Sequence, residues 1–200
     1  MDFAKLKSLS KNQLEDLTDG LVNAMRYSNN EYEYPSFDKA KSDDGVPAEW
    51  FYPIFNGTNS FSELTAIHMY VTQEVSFEEI GELMLGIGLT EMKHYDKLSE
   101  FIKKLGGRID QRFSNSGVSV GNNAVEALSI AIKGERETIA FYEKIQSKLK
   151  DLSETPTIEI AFQLTSKLIA DEEVHLDLLL ERLKIIADEE TYNKIANNEG

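Results

Sequence analysis

Glu91-Met92-Lys93-His94 and Glu172-Glu173-Val174-His175 are the stretches that decide the fold of this 200-residue chain. In each, glutamate and histidine stand three residues apart, which on a helix puts both on one face within reach of one point. Each lies well inside a run of apolar residues at helical spacing, the first from about residue 77 to 105, the second from about 156 to 187. Those faces are apolar. Met84, Ile87, Leu98 and Ile102 accompany Glu91, while Ala161, Leu168, Leu179 and Leu183 accompany Glu172. A lone carboxylate buried there costs several kcal/mol or takes up a proton. A cation with several ligands is the ordinary compensation. One Glu-x-x-His pair arises readily by chance; two of them, using two of only three histidines, do not.

Two further periodic runs, about 60–74 and 124–150, complete a set of four helices. Ser60 with Glu63, Ser76 with Glu79 and Asn123 with Glu126 have capping-box spacing, and Thr155 precedes a proline at the first helical position. The joins near 75–76 and 151–155 are short, so each pair folds back as an antiparallel hairpin. Residues 106–122, opened by Gly106-Gly107, are long enough to cross the length of a bundle between the hairpins. A two-metal carboxylate centre with two Glu-x-x-His pairs calls for one glutamate from each remaining helix. Glu63 and Glu135 supply them, each on an apolar face, the first with Ala66, Ile67 and Tyr70, the second with Leu128, Ala131, Ile132, Ile139 and Tyr142. Glu63 lies 12 residues before Val75 and Glu91 15 after Ser76; Glu135 lies 16 before Asp151 and Glu172 17 after Thr155. Such near-equal arms bring all four to one layer.

The halves also match each other. Glu63-Leu-Thr-Ala-Ile-His-Met-Tyr70 pairs with Glu135-Arg-Glu-Thr-Ile-Ala-Phe-Tyr142 at Glu, Ile and Tyr, and Glu91 and His94 then pair with Glu172 and His175. This reads as an internal duplication about a pseudo-twofold axis, with one metal per half. Plainer readings compete at single positions. Glu63 alone could be only a capping-box glutamate, and Asp171-Glu172-Glu173 an acidic surface run that His175 alone turns inward. Tyr70 and Tyr142 read as core tyrosines ahead of hydrogen-bond donors or radical relays. His68 falls about 500° beyond Glu63, off the ligand face. Met69, Met84 and Met92 are core or flank residues.

The set Glu63, Glu91-x-x-His94, Glu135 and Glu172-x-x-His175 resembles the ferritin-like di-iron and di-manganese proteins, among them rubrerythrins, bacterioferritins, ferritins and manganese catalases. Residues 62–70 and 171–175 look closest to small rubrerythrin-like and manganese-catalase-like members. The resemblance covers about residues 60–187. It implies an all-α, ferritin-like four-helix bundle binding two metal ions, iron or manganese. Glu91 and Glu172 would bridge them, with Glu63 and His94 completing one site and Glu135 and His175 the other. It also implies redox chemistry on hydrogen peroxide or O₂, as catalase or peroxidase. Two departures qualify it. Thr138 stands where rubrerythrin has an extra glutamate, and a chain without cysteine holds no rubredoxin domain, so a peroxidase would need an external electron donor. The rivals are ferroxidase or iron storage in a hollow cage, and a metal-free helical binding module.

Composition sets the remaining bounds. With 21 basic and 35 acidic residues the formal charge is −14, which argues against nucleic acid as a partner. The absence of cysteine removes zinc fingers, iron–sulfur clusters and thiol nucleophiles. No signal-like or membrane-length apolar segment stands out, so a cytoplasmic protein is expected. Residues 1–59 form an extension: Ser10 with Gln13 opens a helix with apolar face Leu14, Leu17, Leu21 and Met25. Beyond it, residues 28–59 hold three of the four prolines with Trp50, Phe51, Tyr52 and Phe55, a composition that packs against the bundle or at a subunit contact. The bundle proper is expected over 60–188, a tail over 189–200, and a homo-oligomer, with a dimer favoured.

Overall fold

Helix starts are set by side chains that satisfy the first free amides. In the computed structural model, which describes residues 26–109 and 114–198, Asn123 accepts from the Glu126 amide (3.0 Å) and Thr155 from the Ile158 amide (3.3 Å). These open α4 (Ala124–Lys150) and α5 (Pro156–Ile186) where their capping signals stand. The first hairpin corrects its expected starts. Ser62, not Ser60, caps α2 (Glu63–Ser76) by accepting from the Thr65 amide, while the Ser60 hydroxyl donates to Glu137. Ser76 ends α2 rather than capping the next helix, its hydroxyl donating to the Thr72 carbonyl. A 3₁₀ turn, Glu78–Ile80, then leads into α3 (Gly81–Lys104). The spacing of Ser60 and Ser76 does not make them caps, because a hydroxyl two residues nearer, or a carbonyl one turn back, is available.

Two smaller helices complete the six among the described residues: α1 (Tyr52–Phe55) before the bundle and α6 (Glu189–Ala196) after it. The segment expected as a tail thus contains a helix, capped by Asp188 and docked by Arg136, whose guanidinium donates to the Ile195 and Ala196 carbonyls. No described helix is long and apolar enough to cross a membrane. The expected helix on Leu14, Leu17, Leu21 and Met25 lies outside the described residues.

The α2–α3 and α4–α5 hairpins pack against each other, and the chain crosses between them over residues 105–123. Gln73, wholly buried on α2, holds the end of this crossover by donating to the Val120 carbonyl (3.1 Å). The apolar interior falls into two clusters along the bundle. One gathers Leu98, Phe101, Ile102, Tyr142, Ile145 and Leu164; the other Met69, Tyr70, Met84, Ile87, Leu128 and Leu179. The extension from residue 26 onward belongs to the same body. Phe37, Val46, Phe51, Ile54 and Phe55 are buried in the first cluster, with Phe37 and Phe51 against the Phe101 ring (centroids 5.3 and 5.4 Å). Asp44 accepts from Thr157 at the start of α5 (2.7 Å). Phe101→Ala should therefore destabilise the fold by about 3–5 kcal/mol, because it empties the contact between bundle and extension. Urea unfolding of metal-free protein measures it, and a loss below about 1 kcal/mol would show that the extension does not share this core.

Candidate metal centre

Between the two apolar clusters lies a layer of charge. Glu63 on α2, Glu91 and His94 on α3, Glu135 on α4, and Glu172 and His175 on α5 are all buried, none more than 4 % exposed. The i, i+3 spacing sets each histidine beside its own glutamate, with His94 Nδ1 3.1 Å from Glu91 Oε2 and His175 Nδ1 3.0 Å from Glu172 Oε2. The antiparallel register brings the pairs together. Glu91 turns its other oxygen to His175 Nδ1 (3.0 Å) and Glu172 its other oxygen to His94 Nδ1 (3.2 Å). Glu63 lies 3.6 Å from His94 Nδ1 and Glu135 3.9 Å from His175 Nδ1. Two overlapping clusters result, Glu63–Glu91–His94–Glu172 and Glu91–Glu135–Glu172–His175, in each of which the potential ligand atoms lie within 4.8 Å of one another. Glu91 and Glu172 belong to both.

Proton positions show what this arrangement lacks. His175 Nε2 is 2.9 Å from the Tyr27 carbonyl, which can only accept, so Nε2 carries the hydrogen. In the neutral ring Nδ1 is then a bare lone pair facing three carboxylates. His94 repeats this with Nε2 3.1 Å from Asp171 Oδ2. Glu91 Oε1 and Glu172 Oε1 are buried and accept no hydrogen bond, although each faces a histidine nitrogen. An octahedral cation with bonds of about 2.1 Å has neighbouring ligand atoms about 3 Å apart, which is the spacing seen here. The donor set, carboxylate oxygen with imidazole nitrogen, suits iron or manganese. The residues fit two such ions.

Without a cation, protons do the compensating. Burial opposes charge on His175, but the carboxylates of Glu135, Glu172 and Glu91 around it outweigh it and hold the imidazole well above its usual range. Burial likewise works against the charge on His94, and its anionic surroundings, Glu91, Glu172 and Asp171 among them, raise it. Burial, with repulsion from Glu91, raises Glu63 well above the ordinary carboxylate range, and burial with repulsion from Glu172 does the same to Glu135.

Tyr70 and Tyr142, read from sequence as core tyrosines first, are buried hydrogen-bond donors to the cluster. The Tyr70 hydroxyl donates to Glu135 and the Tyr142 hydroxyl to Glu63, so each hairpin's tyrosine holds the other hairpin's carboxylate. His68 is exposed and away from the centre. Thr138 is within hydrogen-bond distance of the Phe61 and Gly134 carbonyls and does not reach the cluster's oxygens. Sequence reasoning missed Asp171, fully buried and bonded to His94, and Lys167, 3 % exposed and 2.7 Å from Asp171. The signal was present as an i, i+4 Lys–Asp pair on an otherwise apolar face of α5. A cavity of about 10 Å³ reaches Glu63, Glu91 and Glu135 between α2 and α4, lined by Ser60, Ala66 and Thr138 among others. That is room for about one water.

Comparison with known proteins agrees with this geometry. Residues 58–187 match the family profile of the ferritin-like domain. The chain is also 28 % identical over 146 residues to a bacterioferritin of Brucella melitensis biotype 1, covering 68 % of this chain and 85 % of that protein. The matched segment takes in both hairpins, the crossover and every member of the buried cluster, and the chain belongs to the ferritin-like family.

Proposed function

We propose that this protein is a dinuclear metal oxidoreductase that oxidises Fe(II) with hydrogen peroxide or O₂, with Glu91 and Glu172 bridging the two ions. The observation that carries it is the pair of histidine lone pairs turned toward four buried carboxylates. Two metal ions held there would supply a two-electron couple, matched to hydrogen peroxide, which takes two electrons and two protons to give two waters. The chain's own residues do the rest. Four carboxylates offset the charge of two divalent ions, so the loaded layer is neutral and tolerable between two apolar clusters. Tyr70 and Tyr142, whose burial keeps the phenols protonated, fix Glu135 and Glu63 in place. The narrow cavity beside Glu63 and Glu135 favours a species of a few atoms and leaves little bulk water to divert it. The similarity to a bacterioferritin, and Thr138 where rubrerythrin has glutamate, favour Fe(II) oxidation as the leading use. Catalase or peroxidase turnover at the same centre, with iron or manganese, is the second reading, because the cavity serves peroxide equally.

We also propose that the outer face of the first hairpin joins a second copy of the chain. Val71, Val75, Leu85, Leu89 and Met92 are exposed there, Leu89 at 56 % and Val75 at 75 %. In the second half, Val71, Val75, Leu85 and Met92 correspond to Glu143, Ser147, Ser166 and Glu173. An apolar patch on α2 and α3 offers two copies of the chain a contact whose burial of apolar surface works against the mutual repulsion of their −14 charges. Leu89→Glu should then split the assembly, read as a drop in solution mass by light scattering. A monomeric parent would remove the proposal, and a hollow shell of many subunits would favour storage over a small enzyme.

Anaerobic purification with metal analysis should give about two ions per chain after Fe(II) reconstitution, and Glu172→Ala should lose both. Peroxide consumption that stops when Fe(II) is exhausted supports Fe(II) oxidation; sustained consumption without reductant supports catalase. Less than about one ion per chain refutes both readings.

Stability should depend on pH in a metal-specific way. In metal-free protein Glu63, Glu135, His94 and His175 all have folded-state values raised above unfolded ones. Their contribution is complete below the unfolded values, about 4.3 for glutamate and 6.5 for histidine, and is lost as pH rises through the folded values. Thermal melts with chelator should fall in midpoint as pH rises above about 6.5, whereas loaded protein, whose ligands are already deprotonated, should not. Parallel curves would show that metal does not replace these protons.

A further inference from the structure

The pairing of Glu91 with Glu172 also pairs Thr90 with Asp171 and Gly86 with Lys167. At these two positions the halves differ in chemistry, and both differences face the segment Tyr27–Tyr34. Behind His94 stands a carboxylate. Asp171 Oδ2 lies 3.1 Å from His94 Nε2 and also accepts from the Tyr34 hydroxyl (3.2 Å). Its Oδ1 accepts from the Ser28 hydroxyl (2.8 Å), the Asn29 amide (2.6 Å) and Lys167 Nζ (2.7 Å). Behind His175, Thr90 does not play this part; its hydroxyl is turned back to the Gly86 carbonyl (3.4 Å). The Tyr27 carbonyl takes the place instead, 2.9 Å from His175 Nε2. Gly86 makes that possible, since a Cβ there would lie 2.2 Å from the ring of Tyr27, itself 2 % exposed. One stretch of chain outside the four helices thus reaches the far nitrogen of both histidines, one directly and one through Asp171.

We propose that Tyr27–Tyr34 is a positioning strap that makes the two metal positions unequal, the Glu63–His94 position holding its ion more tightly than the Glu135–His175 position. The inference rests on the dinuclear reading above. A ligating imidazole whose second N–H donates to a carboxylate is a stronger donor than one whose N–H donates to a neutral carbonyl. Lys167 offsets part of the Asp171 charge, but through the other oxygen, leaving Oδ2 to His94 and the neutral Tyr34 hydroxyl. The bridging glutamates face both histidines at nearly equal distances, so they do not create the difference.

The test is anaerobic titration of the metal-free full chain with Co(II), followed by visible absorption, with far-ultraviolet circular dichroism to verify each variant's helices. The parent should fill in two steps separated by about tenfold or more in affinity. Asp171→Asn, which makes the acceptor neutral, should weaken the tighter step by about 10–100-fold and leave the weaker one in place, so that the steps merge. Gly86→Ala, whose added Cβ meets the Tyr27 ring and which is favourable to the helix, should displace Tyr27 and weaken the looser step more than the tighter one. Two indistinguishable steps in the parent, or equal weakening of both by Asp171→Asn, would overturn the strap's role while leaving a two-metal centre standing. No cobalt uptake at all would remove the dinuclear reading and the strap's role with it.

Discussion

Two imidazole nitrogens face four carboxylates in one buried layer, and the rest of the molecule is arranged around that constraint. Charge buried without a partner is the most expensive thing a small helical bundle can carry. Here it is carried four times at one depth. Only a cation between nitrogen and oxygen, or a set of protons standing in for it, reconciles the layer with the apolar clusters on either side. That choice between metal and proton links binding, stability and pH in one centre.

The duplication explains how a chain solves this problem economically. One hairpin supplies Glu and Glu-x-x-His; its pseudo-twofold mate supplies the same, and each tyrosine crosses to hold the opposite carboxylate. Such crossing ties the hairpins together through the centre itself, so packing and ligand geometry are set by the same contacts. Symmetry is broken inside the repeat at Thr90/Asp171 and Gly86/Lys167, and again by the chain outside it. The extension packs Phe37, Phe51 and Phe55 into one core cluster, and its residues 27–34 reach the far nitrogen of both histidines, His175 directly and His94 through Asp171.

Much of this was legible in residues alone, because periodicity, turn length and buried charge are local or additive signals. The four helices, their pairing and the meeting of Glu63, Glu91, His94, Glu135, Glu172 and His175 follow from spacing and arm length. Helix starts in the first hairpin did not, since Ser60 and Ser76 had nearby alternatives that only the fold decides. Asp171 was hidden in an acidic run, where its neighbour Glu173 is indeed exposed. The Tyr27 carbonyl was beyond reach in principle: a backbone oxygen carries no residue signature, and its role depends on a contact 148 positions away.

The acidity of the chain also divides along this line. Five buried carboxylates are accounted for locally, four by the space for two divalent ions and Asp171 by Lys167 at 2.7 Å. The remaining 30 acidic and 20 basic residues lie elsewhere in the chain, where their excess opposes close approach of other anionic surfaces. Their field also raises the local concentration of cations around the protein, which a centre that must be loaded with metal requires. Under the proposed function the two kinds of charge would act in sequence rather than together: the first would gather cations without selecting among them, and the second would select by oxygen and nitrogen donors at about 3 Å spacing. A chain carrying only the first would attract metal and hold none.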